Sequence, residues 1–443
     1  MNVAIAAIKT EAETGLTEAY SAARQGLPGG HLVSAARTQA FDAFALGGLP
    51  HRRLEAWKFT DLRRLMKDAK PLAALPDAAD LARAAQAGQD LSGLGLRRIA
   101  IVDGAFAPTL SDLEGLEAGV TIRPLTAALA ADEAVLSCDI GPVLPANEPT
   151  VLLNTAFAAD GVVIEVADGV VLDRPFHLLF VTTGATPAAM YTRSLVVLGQ
   201  GARASVIESH EGPAQSDYQV NAVVKIEIGD DARLDHVKII REGNAALHVA
   251  TLLADVGARA HFSAFGFLVG GAVVRNQLFV RLAGEEAVAE LAGVSLLAGR
   301  QHGDTTLSID HAAPGGTSRE TFKAVVDDAA QAVFQGKIAV RQRAQKTDAR
   351  MMSRALLLSA DAEVYSKPEL EIFADDVQCG HGATTGTLDD QLKFYLMARG
   401  IPAKEAEALL IQAFVGEVVD TIAHEGLRDA LGLATIAWLS ERG

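Results

Sequence analysis

A four-residue turn motif recurs at nearly constant spacing in the middle of the chain and limits the folds open to it. The motif has glycine first and alanine fourth, and its copies are separated by 28, 28 and 27 residues: residues 201–204, 229–232, 257–260 and 284–287. Each copy precedes a short run with the composition of a strand. Such a period is typical of a solenoid, in which each coil covers the apolar face of its neighbour. A β-propeller fits less well, because its repeats run to roughly 40–50 residues.

From about residue 150 the chain consists of short apolar runs separated by turn residues, among them TVLLNTAF, GVVIEV, HLLFVTT and AVVKIEIG. Runs of this length and composition are typical of buried strands. We therefore predict a mainly β fold with a right-handed parallel β-helix core over residues 151–382. An N-terminal, mostly helical domain (residues 1–150) and a C-terminal helical domain (residues 383–443) flank it. One strand and turn are predicted inside the first domain, at residues 99–106.

Charge and cysteine content narrow the functional classes. The net charge is −16, whereas a nucleic-acid surface needs clustered Lys and Arg. No apolar run reaches the length of a membrane span, and the N-terminus lacks an apolar signal core. Cys138 and Cys379 are 241 positions apart, which indicates free thiols in a reducing compartment. We predict a cytoplasmic protein without nucleic-acid or membrane partners, and we expect Cys138 to be a small buried residue.

Residues 299–322 interrupt the repeat and have the composition of a loop. The segment contains two histidines and two aspartates that could ligate a metal: His302, Asp304, Asp310 and His311. The histidines lie nine residues apart across irregular chain, so a structural or interface loop is the better interpretation.

Cys379 and His381 form the candidate metal site. They follow a segment with strand character, and residues two apart on a strand share a face, roughly 6–7 Å apart. A thiolate and an imidazole there could bind one soft metal ion. Acidic neighbours, Asp375 and Asp376, are expected to raise the thiol pKa and to attract a cation, which ranks His381 above Cys379. The alternative is a buried thiol beside a hydrogen-bonded histidine.

Beyond Gly386 the sequence predicts helices again, over residues 387–398 and from Pro402 onward. The second helix has an apolar stripe that either packs in the core or docks a partner. The stripe consists of Leu409, Leu410, Ala413, Phe414 and Val418.

Several ordered segments resemble one known family. They are QGKI (335–338), AQKTDA (344–349), RALLLS (354–359), KPELEIFADDVQCGHGATTG (367–386) and FYLMARGI (394–401), with a weaker match in EAWKFTDL (55–62). Together they are similar to the SufB/SufD family of iron-sulfur cluster assembly scaffolds, and the SufD branch is the closer match.

This resemblance implies a β-helix core and a heterodimer of two related subunits, each binding an ABC-type ATPase, with nascent clusters forming near the interface. It assigns the functional histidine of SufD-type chains to His381 and the nearby cysteine to Cys379. The essential cysteine of SufB-type chains falls about where this chain has residues 353–355. We therefore expect a non-catalytic subunit that shares a transient cluster with a SufB-like paralogue and docks a SufC-like ATPase. A homodimer is an alternative assembly.

The residue types in the chain also limit which functions it can have alone. Iron-sulfur clusters usually take about four cysteine ligands, and two cysteines cannot supply them. The absence of GxxxxGK[ST] in the sequence leaves ATP hydrolysis to a partner, and no residues can be assigned to a flavin. The alternatives are a SufB-like subunit, an interaction module without a metal role, and a β-helix carbohydrate-active enzyme. The enzyme would need acidic or basic groups clustered on one solenoid face, whereas here Asp and Glu of the repeat fall at turns.

Overall fold

Successive strands of the central region enter two different sheets in alternation. The computed structural model describes residues 9–184 and 186–441. Its helices are α1 (Glu11–Ala23), α2 (His31–Gly47), α3 (Leu62–Leu65), α4 (Ala78–Ala84), α5 (Leu125–Ala130), α6 (Pro149–Phe157), α7 (Asp390–Met397), α8 (Ala403–Val419) and α9 (Glu425–Glu441), with 3-10 turns at Glu55–Trp57, Gln89–Leu94 and Pro108–Leu110.

The strands are β1 (Arg97–Val102), β2 (Ala105–Phe106), β3 (Val120–Pro124), β4 (Val162–Val166), β5 (Phe176–Val181), β6 (Ala189–Leu198), β7 (Arg203–Glu211), β8 (Gln219–Ile228), β9 (Arg233–Arg241), β10 (Leu247–Val256), β11 (His261–Val269), β12 (Val273–Leu282), β13 (Val288–Leu297), β14 (His302–His311), β15 (Thr317–Val326), β16 (Gln331–Val340), β17 (Asp348–Leu357), β18 (Glu363–Ile372) and β19 (Gln378–Gly386).

Sheet order establishes the solenoid. One sheet runs β19-β17-β15-β13-β11-β9-β7-β5-β1-β2 and the other β18-β16-β14-β12-β10-β8-β6-β4-β3. Strands from β4 to β19 pair in parallel with the strand two positions away, so one coil contributes one strand to each sheet. The predicted mainly β solenoid with helical segments at both ends is confirmed, with about eight turns. Its right-handed sense and the domain boundaries stay predictions.

Close stacking of the turns explains the repeated glycine. The Gly257 amide donates to the Ile228 carbonyl of the preceding coil at 2.8 Å. A Cβ on Gly284 would lie 2.0 Å from the Ala258 amide nitrogen. A side chain would therefore push neighbouring coils apart at each of these turns.

The first copy of the repeat lies two residues earlier than the sequence spacing suggests. Arg203 pairs with Arg233, so the turn equivalent to residues 229–232 is 199–202, and the first offset is 30 residues rather than 28. The third turn position has a positive φ, which Gly201 adopts at 67° and Asp231 at 61°. Glycine adopts that conformation at little cost, so it fills the third position here as well as the first.

Two predictions of local structure are wrong. Residues 150–157, predicted as a strand, lie in α6, which starts with Pro149 in its first turn; a short apolar run does not distinguish a strand from a buried helix. Residues 299–322, predicted as a loop, contain β14 and the first part of β15. His302 and His311 occupy opposite ends of β14, about 30 Å apart and on opposite faces, so they cannot share a metal. The strand predicted at 99–106 is confirmed as β1 and β2.

The 55–62 segment joins the N-terminal region to the nine-stranded sheet. The Arg275 guanidinium lies 3.7 Å from the centre of the Trp57 ring. It also donates to the Ala56 carbonyl at 2.8 Å and forms an ion pair with Asp304. Asp304 accepts a further hydrogen bond from Thr60. Arg275 and Asp304 are both fully buried, so this contact depends on charges that must stay paired.

Helices α8 and α9 cover the outer face of the ten-stranded sheet. Ile411, Val415 and Val418 of α8 are buried in one cluster with Leu427 and Leu431 of α9. Of the predicted apolar stripe of α8 only Val418 is buried, Leu410 and Phe414 are half-buried, and Leu409 and Ala413 are exposed. The stripe is therefore not the face that α8 buries. Among the described residues, no helix is both long and apolar enough to cross a bilayer.

Candidate functional site

Cys379 and His381 lie on β19, at the end of the solenoid. β19 and β18 are the terminal strands of their respective sheets. On its one paired side β19 contacts β17, with Cys379 opposite Ala349 and His381 opposite Met351. The two residues lie on one strand and so share a face, as predicted, but residues 373–377, predicted as part of that strand, form the turn before it. Ala349 and Met351 point into the buried core, so the pair caps the interior at the last coil.

The two side chains differ in exposure. Cys379 is half-buried and packs against the interior cluster, while His381 is exposed. An exposed imidazole at an edge is open to a ligand or a second chain. Together the pair offers one imidazole and one sulfur, about half of the ligands that a metal or cluster needs.

Burial raises the pKa of the Cys379 thiol, and the carboxylates of Asp348 and Glu320 raise it further. The amide of Ala349 opposes the shift by hydrogen bonding. The predicted direction is therefore right, but the predicted cause, Asp375 and Asp376, is not. Asp376 instead forms an exposed ion pair with Lys346. A thiol with a raised pKa is a weaker nucleophile and ligand at neutral pH.

Glu320 is a component of this region that the sequence does not reveal. It lies in register with Met351, which lies in register with His381. The side chain is 1% exposed, and neither carboxylate oxygen accepts a hydrogen bond of ordinary geometry from the described residues. Burial raises the pKa of Glu320 to about 8, opposed only weakly by the Ser318 hydroxyl. The inward position of Glu320 becomes visible only once the strand register is known.

Glu320 should make stability depend on pH. Its pKa is near 4.5 when unfolded and about 8 when folded, so the folded state holds the proton more tightly. Its contribution to the free energy of unfolding is therefore fully present below pH 4.5 and is lost as pH rises through 8. We expect Glu320→Gln to be more stable than the wild type by about 2–4 kcal/mol at pH 8.5, and about equal to it at pH 4.5.

Urea unfolding at both pH values checks this, with Glu285→Gln as the control because Glu285 is an exposed turn residue. The same stability difference between Glu320→Gln and wild type at both pH values would contradict the assignment.

Residues 353–355, where the resemblance predicts the counterpart of the SufB-type cysteine, lie on β17 beside this site. Ser353 is buried on β17, opposite Ala383, and is two residues along from the pairing of Met351 with His381. Cys138 lies elsewhere, half-buried rather than fully buried, with its sulfur 3.0 Å from an Arg193 nitrogen.

Two exposed apolar surfaces lie near the C-terminal coils. The end-coil surface comprises the exposed apolar residues of β18 and its turn: Tyr365, Ile372 and Phe373. The α7 face comprises Leu392, Phe394, Tyr395 and Met397. None of the eight described residues of α7 is buried, so this helix presents its apolar side chains to solvent.

Family models match most of the chain. The model described as "SUF system FeS cluster assembly, SufBD core domain" matches residues 180–414, and "SufBD protein N-terminal region" matches residues 11–178. The first covers the solenoid from β6 onward with the end coil and α7, and the second covers the N-terminal region through the first half of β5.

Curated relatives agree with the family models. An iron-sulfur cluster assembly SufBD family protein of Synechocystis sp. is 34% identical over 89% of this chain and 88% of its own length. The iron-sulfur cluster assembly protein SufD of Escherichia coli is 32% identical over 86% of this chain and 87% of its own. The chloroplastic protein ABCI7 of Arabidopsis thaliana is 30% identical over 62% and 60%. The resemblance read from the sequence motifs is confirmed, and the chain belongs to the SufBD family of iron-sulfur cluster assembly proteins.

Proposed function

We propose that the chain is the SufD-type scaffold subunit of a cytoplasmic Suf complex. It pairs with a SufB-like paralogue, docks a SufC-like ATPase and shares a transient iron-sulfur cluster with the paralogue. The observation that carries this proposal is the position of the 367–386 motif, which forms the open end coil and leaves His381 exposed. The cluster is cargo, and the chain itself performs no catalysis.

Pairing follows from the physics of an open sheet edge. The outer edges of β18 and β19 carry backbone N–H and C=O groups that favour pairing with another strand. The end-coil surface adds apolar side chains, of which Phe373 is 58% exposed. A related solenoid with the same coil geometry can continue both sheets across the interface. A second copy of this chain would pair with the same edge, so the test must distinguish a homodimer from a complex with the paralogue.

The shared site explains the incomplete ligand set. His381 supplies a neutral imidazole, or a base, at the edge, and the paralogue supplies a thiolate. Residues 353–355, about where SufB-type chains are expected to have their essential cysteine, contain none, so the sulfur ligands must come mainly from the paralogue. Cys379 is the weaker contributor, because burial and nearby carboxylates keep its thiol protonated.

ATPase docking is assigned to the α7 face. Phe394 is 71% exposed, and a helix with several exposed apolar residues is suited to binding in a groove of a partner. Its position directly after β19 brings the ATPase close to the paired edge. Nucleotide-driven movement could therefore act on the shared site.

Co-expression of the tagged chain with its paralogue and the ATPase tests the assembly. We expect the wild type to recover both partners. Phe373→Asp should reduce the recovered paralogue at least tenfold while keeping the ATPase, because a desolvated charge disrupts an apolar contact. Phe394→Asp should show the opposite pattern.

The matched control is Val171→Asp, an exposed apolar position on the first coils, which should retain both partners. Recovery of a homodimer in place of the paralogue, or unchanged binding in both variants, would contradict the assembly.

A further inference from the structure

A group of titratable side chains is buried inside the solenoid, several coils away from the end-coil site. Three strands, β7, β9 and β10, and two turns contribute to it, and its members are at most 5% exposed. We call this group the inner cluster: Glu208, His210, Tyr218, His236, Lys238, Glu242 and His248. Buried charges require partners, so the hydrogen-bond or ion-pair partner of each member has to be identified.

One half of the inner cluster is fully paired. Glu208 accepts hydrogen bonds from Lys238 at 2.8 Å, from His210 Nε2 at 2.7 Å and from His236 Nε2 at 3.0 Å. The cation and these two donors hold the pKa of Glu208 well below its usual range despite burial. Glu208 and Lys238 thus neutralise each other, and the His210 ring is fixed in orientation through its Nε2.

The other half contains an unpartnered nitrogen. Glu242 accepts from the Tyr218 hydroxyl at 2.5 Å, and His248 Nδ1 lies 2.8 Å from Glu242 Oε1. Because a carboxylate can only accept, Nδ1 carries the proton and His248 Nε2 keeps its lone pair. That Nε2 has no hydrogen-bond partner among the described residues, although the side chain is 0% exposed. Burial lowers the pKa of His248 to about 4, so the ring is neutral at physiological pH.

An orphaned buried acceptor destabilises the folded chain, and a bound cation would remove that cost. A carboxylate on one ring nitrogen with a free lone pair on the other is the arrangement seen for metal-ligating histidines. Glu242 and His248 reproduce that arrangement in the apolar interior of the solenoid.

A second imidazole, that of His210, lies close to His248. His210, Glu242 and His248 each place one ligand atom within 4.8 Å of the others. The two imidazole rings meet edge to face with centres 4.7 Å apart, and Phe180 stacks on His210 at 4.4 Å. Imidazole nitrogens are ligands that zinc and similar divalent ions prefer, and the Glu242 carboxylate holds the His248 ring from the opposite nitrogen.

We propose that His210 and His248 bind one divalent metal ion of the zinc type inside the solenoid, while Glu242 orients the His248 ring through its other nitrogen. The ion would join β7 and β10, and so hold two adjacent coils together. β11, β13, β15 and β17 lie between β9 and the strand that bears His381, so this site is separate from the end-coil site. The proposal does not depend on the function proposed above.

A surface groove reaches one end of the inner cluster. Glu242 lines this groove of about 490 Å³ together with Asn244, Gln301 and Trp438. Glu242 also accepts the hydrogen bond of His248, so the residue that orients the proposed ligand lies at the groove.

Zinc binding to the purified full-length chain tests the proposal. The chain is loaded with Zn²⁺, passed over a desalting column with a weak chelator and assayed for metal by mass spectrometry. We expect about one zinc per chain in the wild type and at least a tenfold loss of affinity in His248→Gln and Glu242→Gln. The double variant Cys379→Ser/His381→Ala should keep its zinc, which separates this site from the end coil.

His311→Gln is the matched control. His311 is also fully buried, has an unpartnered Nδ1 and has a pKa lowered to about 4, but its ring is bonded to the Ser318 hydroxyl rather than to a carboxylate. We expect this variant to retain zinc as the wild type does.

X-ray absorption at the zinc edge on the wild-type chain gives a result that needs no variant to fold. Imidazole scattering with nitrogen and oxygen at about 2.0–2.1 Å supports the site. Sulfur at about 2.3 Å, failure of the wild type to retain zinc, or wild-type affinity in a folded His248→Gln chain would each overturn the proposal.

Discussion

Replacing Arg275 by leucine is expected to destabilise the protein by about 3–5 kcal/mol, because it leaves the Asp304 carboxylate buried without its cation. Both side chains are 0% exposed, so water cannot replace the lost partner. The variant also loses the contact with the Trp57 ring at 3.7 Å and the hydrogen bond to the Ala56 carbonyl. Chemical unfolding at pH 7 measures the loss, and trypsin cleavage near residue 58 reports release of the N-terminal segment.

Two further variants make this prediction specific. Arg259→Leu removes an exposed turn arginine paired with Asp231 at 2.7 Å, and exposed pairs contribute only about 0–1 kcal/mol. The double variant Arg275→Leu/Asp304→Leu should recover much of the stability, because no unpaired charge remains. An Arg275→Leu variant no less stable than Arg259→Leu would show that the buried pair does not hold the segment.

The repeat made the solenoid predictable from sequence because one physical constraint acts at every coil. Stacked turns approach so closely that Gly257 and Gly284 have no room for a side chain, and the same residue types therefore recur. The first copy misleads because Gly201 meets a different requirement, a positive φ at the third turn position. Spacing alone cannot tell these two uses of glycine apart.

Pairing between residues that are distant in the sequence explains the wrong loop prediction. Residues 299–322 looked like a loop because they are polar, yet in β14 the polar groups are paired with distant residues. Asp304 pairs with Arg275, and Asp310 pairs with Arg341 at 2.5 Å. Neither partner is visible as such in the sequence, because the coils that carry them are about 30 residues away in the chain. The wrong loop prediction follows from treating polarity as exposure.

The candidate sites also differ in whether their residues are close in the sequence or come together only through strand pairing. Cys379 and His381 are close in sequence, so a motif reveals them together. Glu320 is related to His381 only through the register of three strands. The inner cluster brings His210 and His248 together from different coils. Sequence analysis therefore finds sites built within one strand and misses those built across coils.

His381→Ala is expected to reduce the iron and sulfide bound by the reconstituted complex at least tenfold while leaving subunit assembly unchanged. The imidazole is exposed at the edge where the partner chain is proposed to join, and alanine offers no lone pair in its place. Cys379→Ser should change cluster content less than twofold, because burial and the carboxylates of Asp348 and Glu320 already keep the thiol largely protonated.

Asp376→Ala is the matched control for this prediction. It lies in the same motif and at the same end of the solenoid, but its carboxylate is exposed and paired with Lys346. Its loss should therefore leave cluster content at the wild-type level. Measurement at equal recovery of all subunits separates a ligand effect from an assembly effect.

Full cluster content in the His381→Ala complex would refute the role of the imidazole, and a larger loss in Cys379→Ser would reverse the order of the two residues. That reversal would mean that the partner chain lowers the thiol pKa when it covers the edge.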